Sequence, residues 1–178
     1  MANVERYGHG EEARGPEPGD FILAHRHHLL AGLISQAQRR RFRGDQAVFA
    51  HWSHAGLVVD SDGSLVEAEP LGVVRSLLSK YRDDEYHLVR LGAEFTAEGR
   101  ERAAAYATKQ IGQAFGYLSL LGAFLYLLFG WPLKLMRRNH QICSSLVVRS
   151  LQMGGLLTEL DADLTLPADL AKRFGVTP

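Results

Sequence analysis

The sequence predicts an α+β fold in which a small antiparallel β-sheet or half-barrel packs against helices. Residues 54–69 carry two short apolar runs around the turn Asp60-Ser61-Asp62-Gly63, which is typical of a β-hairpin. Residues 86–91 alternate between apolar and polar side chains, as a half-buried strand does. Residues 97–111 are rich in alanine and follow Thr96, a candidate N-cap, so they favour a helix.

The N-terminal part of the chain adds a leader, a strand and a helix. Residues 1–18 are polar and end in a Pro-Gly turn signal, which predicts a flexible leader before a single domain over residues 19–178. A short strand is expected at residues 20–25. Apolar residues at helical spacing predict a helix at residues 29–38, and the basic run Arg39–Arg43 then passes into a polar loop.

Two further helices are expected near the C-terminus. The first covers about residues 142–153 and ends at Gly154-Gly155, because glycine commonly ends helices. The second covers residues 167–174, with Thr165 as a nearby cap and Gly175 as its stop.

Composition limits the classes of function. The chain has 178 residues, of which 46% are hydrophobic and 22% charged, as in an ordinary globular domain. Its 20 basic and 20 acidic side chains balance, so no global field selects nucleic acid as a partner. A lone cysteine cannot form an intramolecular disulfide, and the polar N-terminus has no apolar signal core. The expected location is therefore the cytoplasm.

Three residues form a candidate catalytic group: Cys143, His54 and Glu67. A thiol needs a neighbouring base to become a thiolate near neutral pH, and the base needs an orienting partner. Neighbouring strands lie about 4.8 Å apart, so a tight hairpin can place His54 beside Glu67 if the register puts both on one face. Cys143 is expected at the N-terminus of a helix, a position that stabilises both a thiolate and an oxyanion.

Other interpretations of these residues stay open. Residue statistics alone favour a buried structural role for the cysteine. Glu69 lies close enough in sequence to replace Glu67 as the third member. Ser144 and Ser145 are alternative nucleophiles, but a hydroxyl is less acidic than a thiol and no better base is in sight.

Four segments together resemble the permuted papain-like amidases, circularly permuted relatives of NlpC-type cell-wall peptidases that include the YiiX-like proteins. The segments cover residues 19–23, 53–59, 65–68 and 142–147. In that family the histidine strand precedes the cysteine helix, as it does here. The resemblance spans about residues 19–155. It implies a permuted papain-like fold with Cys143 as nucleophile, His54 as base and Glu67 as orienting residue.

The lecithin:retinol acyltransferase-like proteins, which are thiol acyltransferases and phospholipases, share this architecture. They usually have a second histidine in the place of Glu67 and an asparagine in the place of Ile142, so Glu67 favours the amidase-like branch. The predicted function is a cysteine hydrolase that cleaves an amide or ester through an acyl-enzyme at Cys143, with no cofactor. Lipid-directed acyl transfer is the alternative.

An apolar insertion is predicted near residues 111–135, since residues 110–133 contain no charged side chain. A single membrane crossing there would separate His54 from Cys143, so the triad hypothesis excludes it. A buried helix pair, a wall for a fatty acyl chain, and a monotopic anchor through residues 118–138 stay open. The rival function class is a catalytically idle module that binds a membrane or a partner.

Two other signals are given little weight. Histidines gather at residues 25–28 and at His51, but without the ligand spacing of a metal site, so no metal is predicted. The basic run Arg39–Arg43 has neither a glycine-rich phosphate loop nor a stacking platform for bases.

Overall fold

The computed structural model describes residues 2–27, 29–115 and 140–178. Its strands in chain order are β1 (Asn3–Tyr7), β2 (Phe21–His25), β3 (His54–Val58), β4 (Ser64–Glu69), β5 (Gly72–Leu77), β6 (Glu85–Arg90), β7 (Ala114–Phe115) and β8 (His140–Gln141). The α-helices are α1 (Leu29–Arg41), α2 (Ala97–Lys109), α3 (Cys143–Met153) and α4 (Pro167–Phe174). Single 3-10 helices cover Gly44–His51 and Leu78–Tyr81.

The main sheet runs in the order β1-β6-β2-β3-β4-β5 through the part of the chain that the structure describes. Every neighbouring pair in it is antiparallel, and the sheet does not close into a barrel. Strands β7 and β8 form a separate short parallel pair. The predicted α+β class is therefore confirmed.

Side-chain alternation along β2 shows how the sheet divides the core. Phe21 and Leu23 join a cluster that also contains buried residues of α2 and α3, such as Ala103 and Leu146. Ile22 points to the opposite face and joins a second cluster with residues of β4, β6 and the second 3-10 helix. Both faces of this strand are buried, which explains its continuous apolar sequence.

Several predicted elements appear where the sequence placed them. The hairpin forms from β3 and β4, and α2 begins after Thr96, whose hydroxyl accepts a hydrogen bond from the Gly99 backbone N–H. Helix α3 ends at Gly154. Helix α4 ends at Gly175, which has the left-handed φ of 69° that glycine tolerates best.

The flexible leader predicted for residues 1–18 is wrong in part, because β1 pairs with β6 from Asn3 to Tyr7. The segment is too polar to look like a strand, but an edge strand is held mainly by backbone hydrogen bonds, which any sequence can make. Tyr7 also stacks on Tyr86 with ring centroids 5.2 Å apart. The first residues of the predicted leader therefore belong to the sheet.

Three smaller expectations also change. Helix α1 continues to Arg41, so much of the basic run lies in its last turn rather than in a loop. Strand β5 was not predicted. The N-cap of α4 is Leu166, whose backbone N–H is satisfied by the Asp169 carboxylate at 3.0 Å, whereas Thr165 donates its hydroxyl to the Asp161 carbonyl.

Helices α2 and α3 approach closely at two glycines. A methyl group added to Gly154 would lie 2.6 Å from the Gly99 carbonyl oxygen and would also overlap the Phe95 ring. Gly154 itself has an ordinary helical φ of −80°, so the requirement for glycine here is one of space and not of backbone angle. The contact fixes the end of α3 and, through the helix, the direction of its first residue.

We expect Gly154→Ala to lower the free energy of unfolding by about 1–3 kcal/mol, the usual cost of overpacking a filled core. Gly32→Ala is the matched control, because Gly32 lies inside α1 and an added methyl group meets nothing within 4 Å. That control should be neutral or stabilising by up to about 1 kcal/mol. Urea denaturation of both variants measures the difference, and equal effects would contradict the close approach.

The predicted apolar insertion falls mostly on residues 116–139, which lie outside the described residues. The expectations of an acyl pocket and of a membrane contact through residues 118–138 therefore stay predictions. Among the helices that the structure describes, none combines the length and apolarity needed to cross a membrane.

Candidate active site

The sheet brings His54 and Glu67 together. Glu67 lies opposite Gly56 across the β3–β4 pair, and Gly56 is two residues from His54, so the side chains of His54 and Glu67 project from the same face. The His54 Nε2 atom lies 2.7 Å from Glu67 Oε2. His54 is almost completely buried, and the Glu67 side chain has no exposed surface.

Cys143 is the first residue of α3 and is 5% exposed. Its side chain is close enough to the His54 ring to help raise the pKa of that imidazole. The Nε2 atom of the same ring is engaged by Glu67. The three predicted residues therefore form one chain of contacts, from the sulfur through the imidazole to the carboxylate.

The start of α3 suits a developing negative charge at the cysteine. The first backbone N–H groups of an α-helix have no acceptor within the helix, and the helix dipole places partial positive charge there. The neighbouring serine hydroxyls serve other purposes. Ser144 donates to the Thr165 carbonyl at 2.7 Å, and Ser145 both donates to the Ile142 carbonyl and accepts from the Ile142 N–H. Both hydroxyls thus anchor the helix start.

Three residues that the sequence analysis did not identify complete the surroundings of Glu67. The Lys80 ammonium lies 2.8 Å from Oε1, and the Ser76 hydroxyl donates to the same oxygen. The Tyr81 hydroxyl donates to Oε2, the oxygen that also contacts His54. Glu67 is therefore a fully buried carboxylate with a hydrogen-bond donor or a cation on every side, as a buried charge requires.

Electrostatics within this group favour a charged imidazole. Burial alone would lower the pKa of His54, but its hydrogen bonds to Cys143 and Glu67 outweigh burial and raise that pKa to about 10. Burial would raise the pKa of Glu67, yet hydrogen bonds from His54, Lys80 and Ser76 hold it well below its usual range. Burial and the Glu67 charge raise the pKa of Tyr81, so its phenol stays a donor.

Glu69, the alternative third member, has a different partner. Its carboxylate contacts Lys80 Nζ at 2.6 Å, while Glu67 is the carboxylate bonded to His54. Side-chain atoms of His54, Glu67 and Glu69 lie within 4.8 Å of one another, a grouping that could hold a metal ion. The Lys80 ammonium already lies between the two carboxylates and supplies the positive charge that a metal would bring. These residues therefore fit an ion-pair network better than a metal centre.

The sequence alone does not single out Ser76, Lys80 and Tyr81 as neighbours of Glu67. Ser76 lies opposite Leu65 in the β4–β5 register, two positions along β4 from Glu67 and on the same face. Lys80 and Tyr81 belong to the 3-10 helix that follows β5 directly. Recognising β5 as a third strand would have placed all three near Glu67.

Comparison with known proteins gives no independent assignment. No protein-family model matches the chain, and no curated protein matches it.

Proposed function

We propose that the protein is a cysteine hydrolase that cleaves an amide or ester bond through an acyl-enzyme at Cys143. The observation that carries this proposal is the buried group of Cys143, His54 and Glu67, in which His54 bonds to Glu67 at 2.7 Å and Cys143 helps raise the pKa of His54. A purely structural cysteine needs no imidazole beside it, and an imidazole needs no carboxylate with four partners. The resemblance to permuted papain-like amidases points to the same chemistry.

The chemical steps follow from the contacts. The Cys143 sulfur transfers its proton to His54 and attacks the carbonyl carbon, forming a C–S bond and a tetrahedral oxyanion. The oxyanion collapses, the bond to the leaving group breaks, and the His54 imidazolium donates its proton to the departing nitrogen or oxygen. Water then attacks the thioester while His54 accepts the proton of that water. The C–S bond then breaks, the acid leaves, and the proton on His54 returns to the sulfur, which restores the Cys143 thiol.

Glu67 keeps the imidazole in the productive orientation and stabilises its charge. Its contact with Nε2 leaves Nδ1 for the sulfur. The backbone N–H groups at the start of α3 would hold the oxyanion, a contribution of about 3–4 kcal/mol per donor in other enzymes. Ser76, Lys80 and Tyr81 act through Glu67 and are positioning residues.

An acyl-enzyme can be resolved by water, an alcohol or an amine, so acyl transfer is the same chemistry with another acceptor. Lipid-directed transfer would use the apolar segment and its basic flank within residues 118–138 and is the alternative proposal. An idle module that binds a membrane or a partner is the rival class. It predicts that liposome binding survives Cys143→Ala and that Cys143 reacts no faster than a free thiol.

We expect iodoacetamide to alkylate Cys143 at pH 6.5 at least about tenfold faster in the wild type than in His54→Ala, because a charged imidazole favours the thiolate. The two rates should converge towards pH 10, where an ordinary thiol is ionised without help. Intact mass spectrometry measures the extent of labelling, and since Cys143 is the only cysteine, each adduct reports on one site.

His51→Ala is the matched control for this experiment. His51 precedes β3 closely in the chain, but its Nε2 atom bonds to Glu85 at 2.9 Å and not to Glu67. Its removal should leave the alkylation profile unchanged. Equal rates in the wild type and His54→Ala at every pH would remove the basis of the catalytic proposal and favour the rival class.

A further inference from the structure

A groove of about 620 Å³ lies between the end of β2 and helix α1. Its lining includes His25, Arg26 and His27 from the segment after the strand, and Arg39 from the helix. No acidic side chain is among the described residues that line it. The acidic residues close by are already paired, Asp84 with Arg26 at 3.6 Å and Glu85 with His51 at 2.9 Å. The lining therefore carries positive and no negative charge, with one of its two arginines balanced by Asp84.

Two buried polar atoms of residues that line the groove lack a hydrogen-bond partner within the described ranges. The Ser35 side chain is buried, with 8% of the residue exposed, and nothing there bonds its Oγ atom. The Arg26 Nη1 atom is also buried without a hydrogen-bond acceptor in the part of the chain that the structure describes, since its ion pair with Asp84 is too long for one. Buried polar groups in folded proteins are nearly always paired, so these two atoms, both from residues that line one groove, point to a missing acceptor.

The groove adjoins the candidate active site. The Arg26 backbone N–H donates to the hydroxyl of Ser53, the residue before His54. The Arg26 guanidinium also lies over the Tyr81 ring, 5.3 Å from its centroid. The Tyr81 ring in turn stacks on the His54 ring with centroids 6.1 Å apart. A molecule bound at Arg26 would thus lie one aromatic ring away from the imidazole.

We propose that this groove binds an oxyanion, either a phosphate or a carboxylate group, carried by the substrate. Arg26 and Arg39 supply permanent positive charge, and the Ser35 hydroxyl supplies a neutral donor, the usual combination for such a group. The assignment of this oxyanion to a substrate rests on the proposed function, whereas the binding of an oxyanion does not. The substrate class is accordingly an acyl compound that also carries an anionic group.

The first test is direct binding of inorganic phosphate, and separately of acetate, at constant ionic strength. The melting temperature should rise with ligand concentration and reach a plateau in the wild type and in Cys143→Ala, because binding stabilises the folded state. Arg39→Gln should weaken the apparent affinity at least about fivefold, the loss of one charge-assisted hydrogen bond. Which of the two ligands saturates at lower concentration identifies the oxyanion.

Two further variants sharpen this test. Arg40→Gln changes the charge equally on the same exposed part of α1 but does not line the groove, so its affinity should match the wild type. Ser35→Ala should weaken phosphate binding without lowering the stability of the ligand-free protein, since it removes a buried hydroxyl that has no partner among the described residues. Equal losses in Arg39→Gln and Arg40→Gln, or no plateau with either anion, would overturn the proposal.

The second test asks whether the groove belongs to the active site. The better of the two anions, at a saturating concentration, should slow the alkylation of wild-type Cys143 by iodoacetamide, and Arg39→Gln should abolish this protection. Saturable binding without protection would overturn the assignment to the substrate. A failure of the catalytic proposal shows itself separately, as alkylation that does not depend on His54 while phosphate binding to Cys143→Ala persists.

Discussion

Replacing Glu67 with alanine is expected to lower the free energy of unfolding by about 3–5 kcal/mol at pH 7, the usual cost of removing one member of a buried charged network. The carboxylate is fully buried and pairs with the His54 ring, the Lys80 ammonium and the Tyr81 hydroxyl, among others. Without it, an imidazole and a phenol stay buried with no acceptor. Urea denaturation monitored by fluorescence measures the change.

Glu69→Ala is the control for the loss of Glu67. Both glutamates belong to β4 and contact Lys80, but Glu69 is partly exposed and its carboxylate contacts that lysine near the surface. Its removal should cost less than about 1 kcal/mol, as for other exposed ion pairs. Glu67→Gln should fall between the two, because the amide keeps one acceptor oxygen. Similar losses for Glu67→Ala and Glu69→Ala would mean that the network does not depend on Glu67.

Acidification from pH 7 to pH 4 is expected to cost the folded protein about 3 kcal/mol through His87 alone, at 1.36 kcal/mol for each unit of pKa shift. His87 in β6 is 4% exposed, packs against Trp52, and its Nδ1 atom has no hydrogen-bond partner among the residues that the structure describes. Burial lowers the pKa of His87 from 6.5 to about 4.

The sign follows from which state binds the proton. Below pH 6.5 the unfolded chain binds a proton at His87, whereas the folded protein does not bind it until about pH 4. The free energy of unfolding therefore decreases as the pH is lowered across this window. His87→Leu should flatten the profile of unfolding free energy between pH 6.5 and 4. His9→Leu is the control, because that side chain is mostly exposed, and it should leave the slope unchanged. Parallel profiles for the wild type and His87→Leu would contradict the prediction.

The fold was predictable where side-chain pattern and burial agree. The β3–β4 hairpin and the N-cap of α2 carry strong local signals, namely an Asp-Gly turn and a threonine before an alanine-rich run. Strand β1 carries none, since Asn3–Tyr7 is polar and gains its place from backbone pairing with β6. Long-range pairing of that kind is not written in a local pattern.

The candidate site could likewise be predicted only in part from the sequence. Residue chemistry selects Cys143 and His54, and the hairpin narrows the third member to Glu67 or Glu69. The choice between these two depends on the register, and Glu67 meets His54 because it pairs with Gly56. The side chains that hold Glu67 in place come from β5 and the 3-10 helix after it, and no periodicity in the sequence predicts either element. Even the charge state of His54 depends on these tertiary contacts.

Strand β1 also has a consequence for solubility. It covers the backbone of β6, a strand whose Tyr86 and Leu88 are completely buried. Trimming the first seven residues, or fusing a bulky tag to them, would leave the N–H and C=O groups of β6 open as a template for a second chain. Self-association, rather than loss of the fold, would then be the first symptom of damage at this end.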